Sequence, residues 1–285
     1  MILSSCLIHS MEILLKRSGL FAVLATLICL GVLVGSACNQ SAKNVEEATA
    51  EVAAVDTSAN IIFLHHSTGN CIWKGGVPEW FASFNTQNGT SYEIIERSFP
   101  SGKPYAWKNY PFDYWNIWVK NAGPEPFMKE PTLEMLTKDY NVIIFKHCYP
   151  VAQILEDTGS PDIASEDKTI ENFKLQYAAL KEKFAQYPDV KFIVWTGAAL
   201  TEGRTTPENA QRAVEFFSWV KSEWDQPGDN IFLWDLWALE TGGGPYLKLE
   251  YAEGESNPHP NDAFSKMAAP KFAQRIVDVI QGKVD

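Results

Sequence analysis

Five short strand-like runs punctuate the chain after residue 60: IIFL at 61–64, YEIIE at 92–96, VIIF at 142–145, FIVW at 192–195 and IFLW at 231–234. Between them lie stretches with helical spacing at 78–84, 132–138, 171–186 and 208–224, and a last one at 261–281. Apolar runs of four or five residues bounded by turn residues suit strands buried on both faces. Strands alternating with helices imply a parallel sheet covered by helices on both sides. With right-handed crossovers, five such units predict a flavodoxin-like, doubly wound α/β/α fold with strand order 2-1-3-4-5. The chain has 285 residues, 46% of them hydrophobic, enough for one large core. The expected folded domain is 59–285, with no internal repeat. The Pro- and aromatic-rich stretch 99–131 is too long for a simple connection and should carry short elements or function of its own.

The first part of the chain reads differently. Lys16 and Arg17 precede an uncharged apolar stretch at 20–34, followed by Gly35-Ser36-Ala37-Cys38. A basic segment, an apolar segment and small residues before a cut form the signal-peptide pattern. Met11 opens a more ordinary signal peptide than Met1 does. The cysteine after the small residues resembles a bacterial lipobox, although Gly35 departs from the commoner Leu or Val. That resemblance implies a signal peptide over 1–37 and lipid on the Cys38 thiol. It also implies a cell-envelope location, at the outer membrane or the periplasmic side in a Gram-negative cell. An uncleaved anchor or a plain secretory signal is the alternative. Residues 38–58 are polar, Ala-rich and acidic, and read as a tether.

The net charge of −11 and the absence of a basic stripe argue against a nucleic-acid partner. Aromatic residues make up 13% of the chain. Most are expected in the core, while those in surface loops also suit sugar rings. Of five cysteines, Cys71 and Cys148 remain beyond Cys38. Export permits a bridge between them, and the sequence leaves open whether they pair.

The ends of the strand runs hold the chemistry. The first run ends in His65-His66-Ser67-Thr68-Gly69, and the third in Lys146-His147-Cys148. His259 stands in SNPHPND just before the last helix. In a doubly wound sheet the carboxyl ends of the strands form one edge, where ligands bind. All four histidines after residue 60 fall at or near that edge. A serine hydroxyl is a weak nucleophile and needs a base within hydrogen-bond reach, so Ser67 and His259 are expected to meet. The alternatives are a turn or N-cap serine and a helix-entry histidine.

Over residues 60–282 the chain resembles the SGNH/GDSL hydrolase superfamily. That family places its nucleophilic serine in a Gly-Asp-Ser turn after the first strand. Here Ser67 takes the serine position, and His66 stands where the family has Asp. The family's catalytic histidine lies in an Asp-x-x-His block before the last helix, often followed by Pro. His259-Pro260 matches the second half, while Ser256 replaces the Asp and Asn257 lies two residues before His259. Gly102 is the counterpart of the oxyanion glycine, although an ordinary turn glycine is the alternative. The family's Asn after the third strand is replaced by Lys146-His147-Cys148.

The resemblance implies an exported serine esterase without a cofactor. Ser67 would be the nucleophile and His259 the base. Ser67, Gly102 and a side chain after the third strand, at Cys148, would form the oxyanion hole, with Asn257 in support and with His66 and His147 either donating to an acyl oxygen or packing the turn. For the missing acid, Asn257, Glu255, the backbone near Ser256 and Asp235 are the candidates, Asp235 reading more readily as a structural cap. Lys146 reads as a solvated lysine, with a contact to an acidic or carbonyl group as the alternative. Arg204 reads as a surface salt bridge or a substrate contact. The expected partner is an acylated small molecule or glycan, with the membrane met through the lipid. Two other readings compete: a non-catalytic glycan-binding module, and a metal site of His65, His66, His147 and His259. No His-x3-His spacing or nearby carboxylate pattern supports the metal.

Overall fold

The computed structural model describes residues 56–105 and 108–284. The expected signal peptide, Cys38 and nearly all of the tether lie outside the described residues. In chain order the elements are β1 (Ser58–His65), α1 (Thr68–Lys74), α2 (Val77–Asn88), β2 (Ser91–Ser98), α3 (Pro111–Trp115), α4 (Leu133–Asp139), β3 (Val142–Phe145), α5 (Ile170–Phe184), β4 (Lys191–Trp195), α6 (Pro207–Trp219), β5 (Ile231–Trp234), α7 (Leu236–Thr241), β6 (Ala252–Gly254), β7 (Asn257–Pro260) and α8 (Asp262–Ile280).

The five main strands form one sheet in the order β2-β1-β3-β4-β5, as the alternating pattern predicts. Every pair is parallel, with Ile61 opposite Val142, Val142 opposite Lys191 and Phe192 opposite Ile231. The strand period of two sends alternate side chains to opposite faces. Ile62, Leu64, Ile143, Phe145, Phe192 and Val194 pack into one core with Phe173, Tyr177, Leu180 and Phe184 of α5 and Phe216 of α6. Ile61, Phe63, Val142, Ile144, Ile193 and Trp195 pack into a second core with Phe81 of α2 and Phe272 and Ile276 of α8. The result is a three-layer α/β/α arrangement. β1, β3 and β4 are covered on both faces, which is why they read as unbroken apolar runs, whereas the edge strand β2 is largely exposed.

Helix starts follow their side-chain caps. Thr169 accepts a hydrogen bond from the Asn172 N–H, Thr206 from the Asn209 N–H and Asn261 from the Phe264 N–H. Each satisfies one of the orphan donors of a first turn.

Several elements differ from the sequence expectation. The helix expected at 78–84 runs over Val77–Asn88, and α1, α3 and α7 are additional. The helix expected at 208–224 ends as α6 and continues as a π-helical turn over Val220–Trp224. The β6–β7 hairpin was not anticipated. In the 99–131 stretch, Phe99, Tyr105, Tyr110, Tyr114 and Trp118 are all buried in the first core. They pack the fold and offer no stacking face to a sugar. No aromatic residue stands among the exposed large hydrophobic side chains of the described residues.

Candidate active site

Ser67 lies in the tight turn between β1 and α1. Its backbone sits at φ 48° and ψ −101°, values that non-glycine residues rarely adopt. Such a conformation costs on the order of 1–3 kcal/mol and persists only where the surroundings impose it. Here β1 is buried on both faces, and α1 starts directly over its end. Gly69 makes that crossing possible, since a Cβ there would meet the His65 side chain at 2.5 Å. The turn leaves the Ser67 hydroxyl pointing out at the carboxyl edge of the sheet.

The Ser67 Oγ is hydrogen-bonded to Nε2 of His259, 192 positions away in sequence. His259 comes from β7. Its Nδ1 lies 2.6 Å from Oδ1 of Asn257, two residues earlier on the same face of the strand. The Asn257 Nδ2 donates in turn to Oε2 of Glu253 on β6, at 2.6 Å. The donor pattern fixes the tautomer. Nδ1–H donates to Asn257, so Nε2 is free to accept the Ser67 proton. Burial lowers the pKa of His259, the Lys146 charge lowers it further, and the Glu253 charge opposes both. The imidazole is therefore neutral near pH 7, the state a base requires.

Glu253 is the residue that sequence reasoning missed. It was masked by the unrecognised hairpin, in which Gly254 pairs with Asn257. No sequence signal marks it, since β6 is only three residues long. The other acid candidates are occupied elsewhere. Asp235 caps α7, accepts from Thr196 Oγ1 at 2.6 Å and pairs with Lys221. These bonds hold its carboxyl below the usual range despite burial. Glu255 is exposed, and its backbone carbonyl accepts from Thr201.

The Cys148 backbone N–H donates to the Asn109 carbonyl at 2.7 Å, and its Sγ lies 3.5 Å from the Lys146 Nζ. The Ser67 N–H has no such acceptor among the described residues. Gly102 is buried at φ 112°, close in sequence to Pro100, whose carbonyl lies 2.5 Å from Nε2 of His66. Ser101 is anchored beside it through its N–H and hydroxyl, both on Oε1 of the buried Glu130. His66 thus ties the Ser67 turn to the loop that carries Gly102.

His147 is displaced from its expected place. It is fully buried, hydrogen-bonded to the Tyr177 hydroxyl at 2.9 Å and packed against Tyr114 and Phe145. It belongs to the core on the α5 side. His65 lies 2.7 Å from Glu96 Oε2, and burial drives its pKa down to about 3, so it is neutral. The four histidines therefore face four different partners. Among the described residues no group of three or more His, Cys, Asp or Glu side chains is arranged to hold a metal ion. Cys71 and Cys148 are free thiols. Arg204 is exposed and forms no ion pair among the described residues.

Lys146 is not the solvated lysine the sequence suggested. It is fully buried just past the end of β3, with Nζ 3.3 Å from the His66 carbonyl and 3.5 Å from Cys148 Sγ.

A cleft of about 400 Å³ opens at Ser67. Its other walls include His66, Asn70, Glu96, Arg97 and Ser98, so it is polar and carries both charge signs.

No family model matches this chain, and no curated protein matches it either. Among solved structures it resembles an acetyl xylan esterase, at 14% identity and a TM-score of 0.47 over 76% of this chain and 99% of that one. It also resembles a gut microbial diltiazem-metabolizing enzyme, at 10% identity and a TM-score of 0.46. That match covers 78% of this chain and 47% of the other. The likeness in both cases is one of overall fold.

Proposed function

We propose that this chain is a serine esterase of the SGNH type that hydrolyses an O-acyl ester on a carbohydrate or similarly polar alcohol. The observation that carries the reading is the Ser67–His259 hydrogen bond, with His259 oriented from behind by Asn257. In the reaction the Ser67 hydroxyl proton passes to Nε2 of His259 as Oγ attacks the ester carbonyl carbon. The carbonyl π pair moves onto oxygen, and N–H donors of Ser67 and Gly102 stabilise it. Collapse of this tetrahedral species breaks the bond to the alkoxide, which takes the proton back from His259. Water then attacks the acyl-Ser67 carbonyl by the same relay and releases the acid.

The polar cleft beside Ser67 supports a hydrophilic alcohol over a lipid chain. The five aromatics Phe99, Tyr105, Tyr110, Tyr114 and Trp118 lend the glycan assignment no support, since they are buried in the core. Hydrolysis of p-nitrophenyl acetate by the purified domain tests the reading, with Ser67→Ala and a chelator as controls. A wild-type rate in Ser67→Ala, or no hydrolysis of any ester, leaves a non-catalytic binding module. Loss of the rate to the chelator leaves the metal site.

We also propose that the domain is exported and held at the cell envelope by lipid on Cys38. Cys38→Ala is expected to release the protein from membranes or to stall its processing. An unchanged mature mass and unchanged fractionation would remove this part of the proposal.

A further inference from the structure

Lys146 is a charge in an unusual setting. Its side chain is fully buried, and it forms no ion pair among the described residues. The buried carboxyl whose charge interacts with it, that of Glu240, has its pKa pushed up to about 8 by burial and is mostly protonated at pH 7. Burying an uncompensated ammonium costs several kcal/mol even after relaxation. A methionine in that space would avoid the cost. The contacts indicate what the charge does. Nζ reaches the His66 carbonyl, which also accepts the Gly69 N–H at 2.9 Å. That carbonyl belongs to the same peptide unit as the Ser67 N–H. The unit is not among the cis peptide bonds, so its oxygen and its hydrogen point to opposite sides. Lys146 can therefore be wholly buried behind the peptide while the N–H points away from it.

We infer that Lys146 is a positioning residue for the esterase chemistry: a fixed cation behind the Ser67 peptide that strengthens its N–H as a donor to the developing oxyanion. The inference rests on the serine-esterase reading. A cation on the oxygen end polarises the whole peptide group, and chained hydrogen bonds reinforce one another at low dielectric. The charge also favours negative charge at the reacting carbonyl without touching it. It stands after the third strand, where the resembled family places an Asn.

The test is Lys146→Met and Lys146→Gln, assayed on p-nitrophenyl acetate beside wild type and Ser67→Ala. Both variants should lose about 10- to 100-fold in kcat, less than the full loss of a direct oxyanion donor, with KM nearly unchanged. Lys146→Met should melt at the wild-type temperature or above it, because it removes an uncompensated buried charge. A merely structural lysine would do the reverse, lowering the melting temperature and sparing kcat. The acid limb of kcat/KM should move to higher pH in both variants, because the Lys146 charge lowers the pKa of His259. The groups facing His259 are Glu253, Asn257, Tyr149 and Ser67. Those whose charges couple to Lys146 include His65, His66, Cys71 and Glu240. None of the others changes in these variants. If Ser67→Ala keeps the wild-type rate, the esterase reading itself falls and takes this inference with it. If Ser67→Ala is dead but Lys146→Gln, folded, keeps kcat within about threefold of wild type, the inference alone is overturned.

Discussion

The Asn257 side chain joins two groups that are remote in charge and role. Its Oδ1 takes the Nδ1–H of His259 at 2.6 Å, and its Nδ2 gives a hydrogen to Glu253 Oε2 at the same distance. A neutral amide can orient an imidazole but cannot stabilise its protonated form as a directly bonded carboxylate does. The Glu253 carboxylate acts one residue further away and from an exposed position, where solvent screens it. Asn257→Ala should therefore lower kcat by about tenfold, well short of the loss in Ser67→Ala or His259→Ala. A loss equal to that of His259→Ala would show that the amide does more than orient the ring.

Glu253→Gln separates charge from orientation. The Glu253 charge raises the pKa of His259, so removing it should shift the acid limb of kcat/KM to lower pH. The amide of Gln can still accept from Asn257, so kcat at the plateau should change little. A pH–rate profile of the variant checks this, and a limb that stays in place would break the proposed link.

Ser67→Ala and His259→Ala should each remove about four or more powers of ten of activity, and the double variant should be hardly worse. The two groups share one proton and so fail together. Additive losses in the double variant would mean that they do not work as a unit.

Gly102→Ala should impair turnover more than folding. At φ 112° an alanine is strained, at a cost on the order of 1–3 kcal/mol. The neighbouring backbone is pinned by Glu130 and His66, so the strain falls on the loop facing the ester. We expect kcat to fall about 100-fold, the scale of one lost oxyanion donor. Steady-state kinetics and a melting curve together check the split.

Glu240 should make stability depend on pH. Burial raises its folded-state pKa to about 8 from an ordinary value of 4.5, so the folded protein holds a proton that the unfolded chain releases. Stability contributed this way is fully present below pH 4.5 and is lost as the pH rises toward 8, by up to about 1.4 kcal/mol per unit. Glu240→Gln should flatten that fall. Urea unfolding of both proteins at pH 5 and pH 8 measures it, and parallel curves would refute the assignment.

The central strands were readable in the sequence because parallel strands buried on both faces must be apolar throughout. Their alternation with helices, taken with right-handed crossovers, pointed to the layers and to a doubly wound order. Ser67 and His259 were legible for a related reason, since each sits where a predicted element stops or starts. Side-chain direction was not legible. His147 adjoins Cys148 and Lys146 in sequence, yet it turns into the core toward Tyr177, while Lys146 lies beneath the Ser67 turn. Which way each points is set by packing against α5 and the 99–118 aromatics, through contacts far apart in sequence. Glu253 depended on a three-residue strand too short to leave a periodic signal. The Cys148 N–H donates to the Asn109 carbonyl, far away in sequence, which no local pattern announces. Local pattern determined where backbone runs and ends. Only the tertiary structure decided which polar groups find each other, because a buried hydrogen-bonding group takes whatever partner the fold brings within 3 Å.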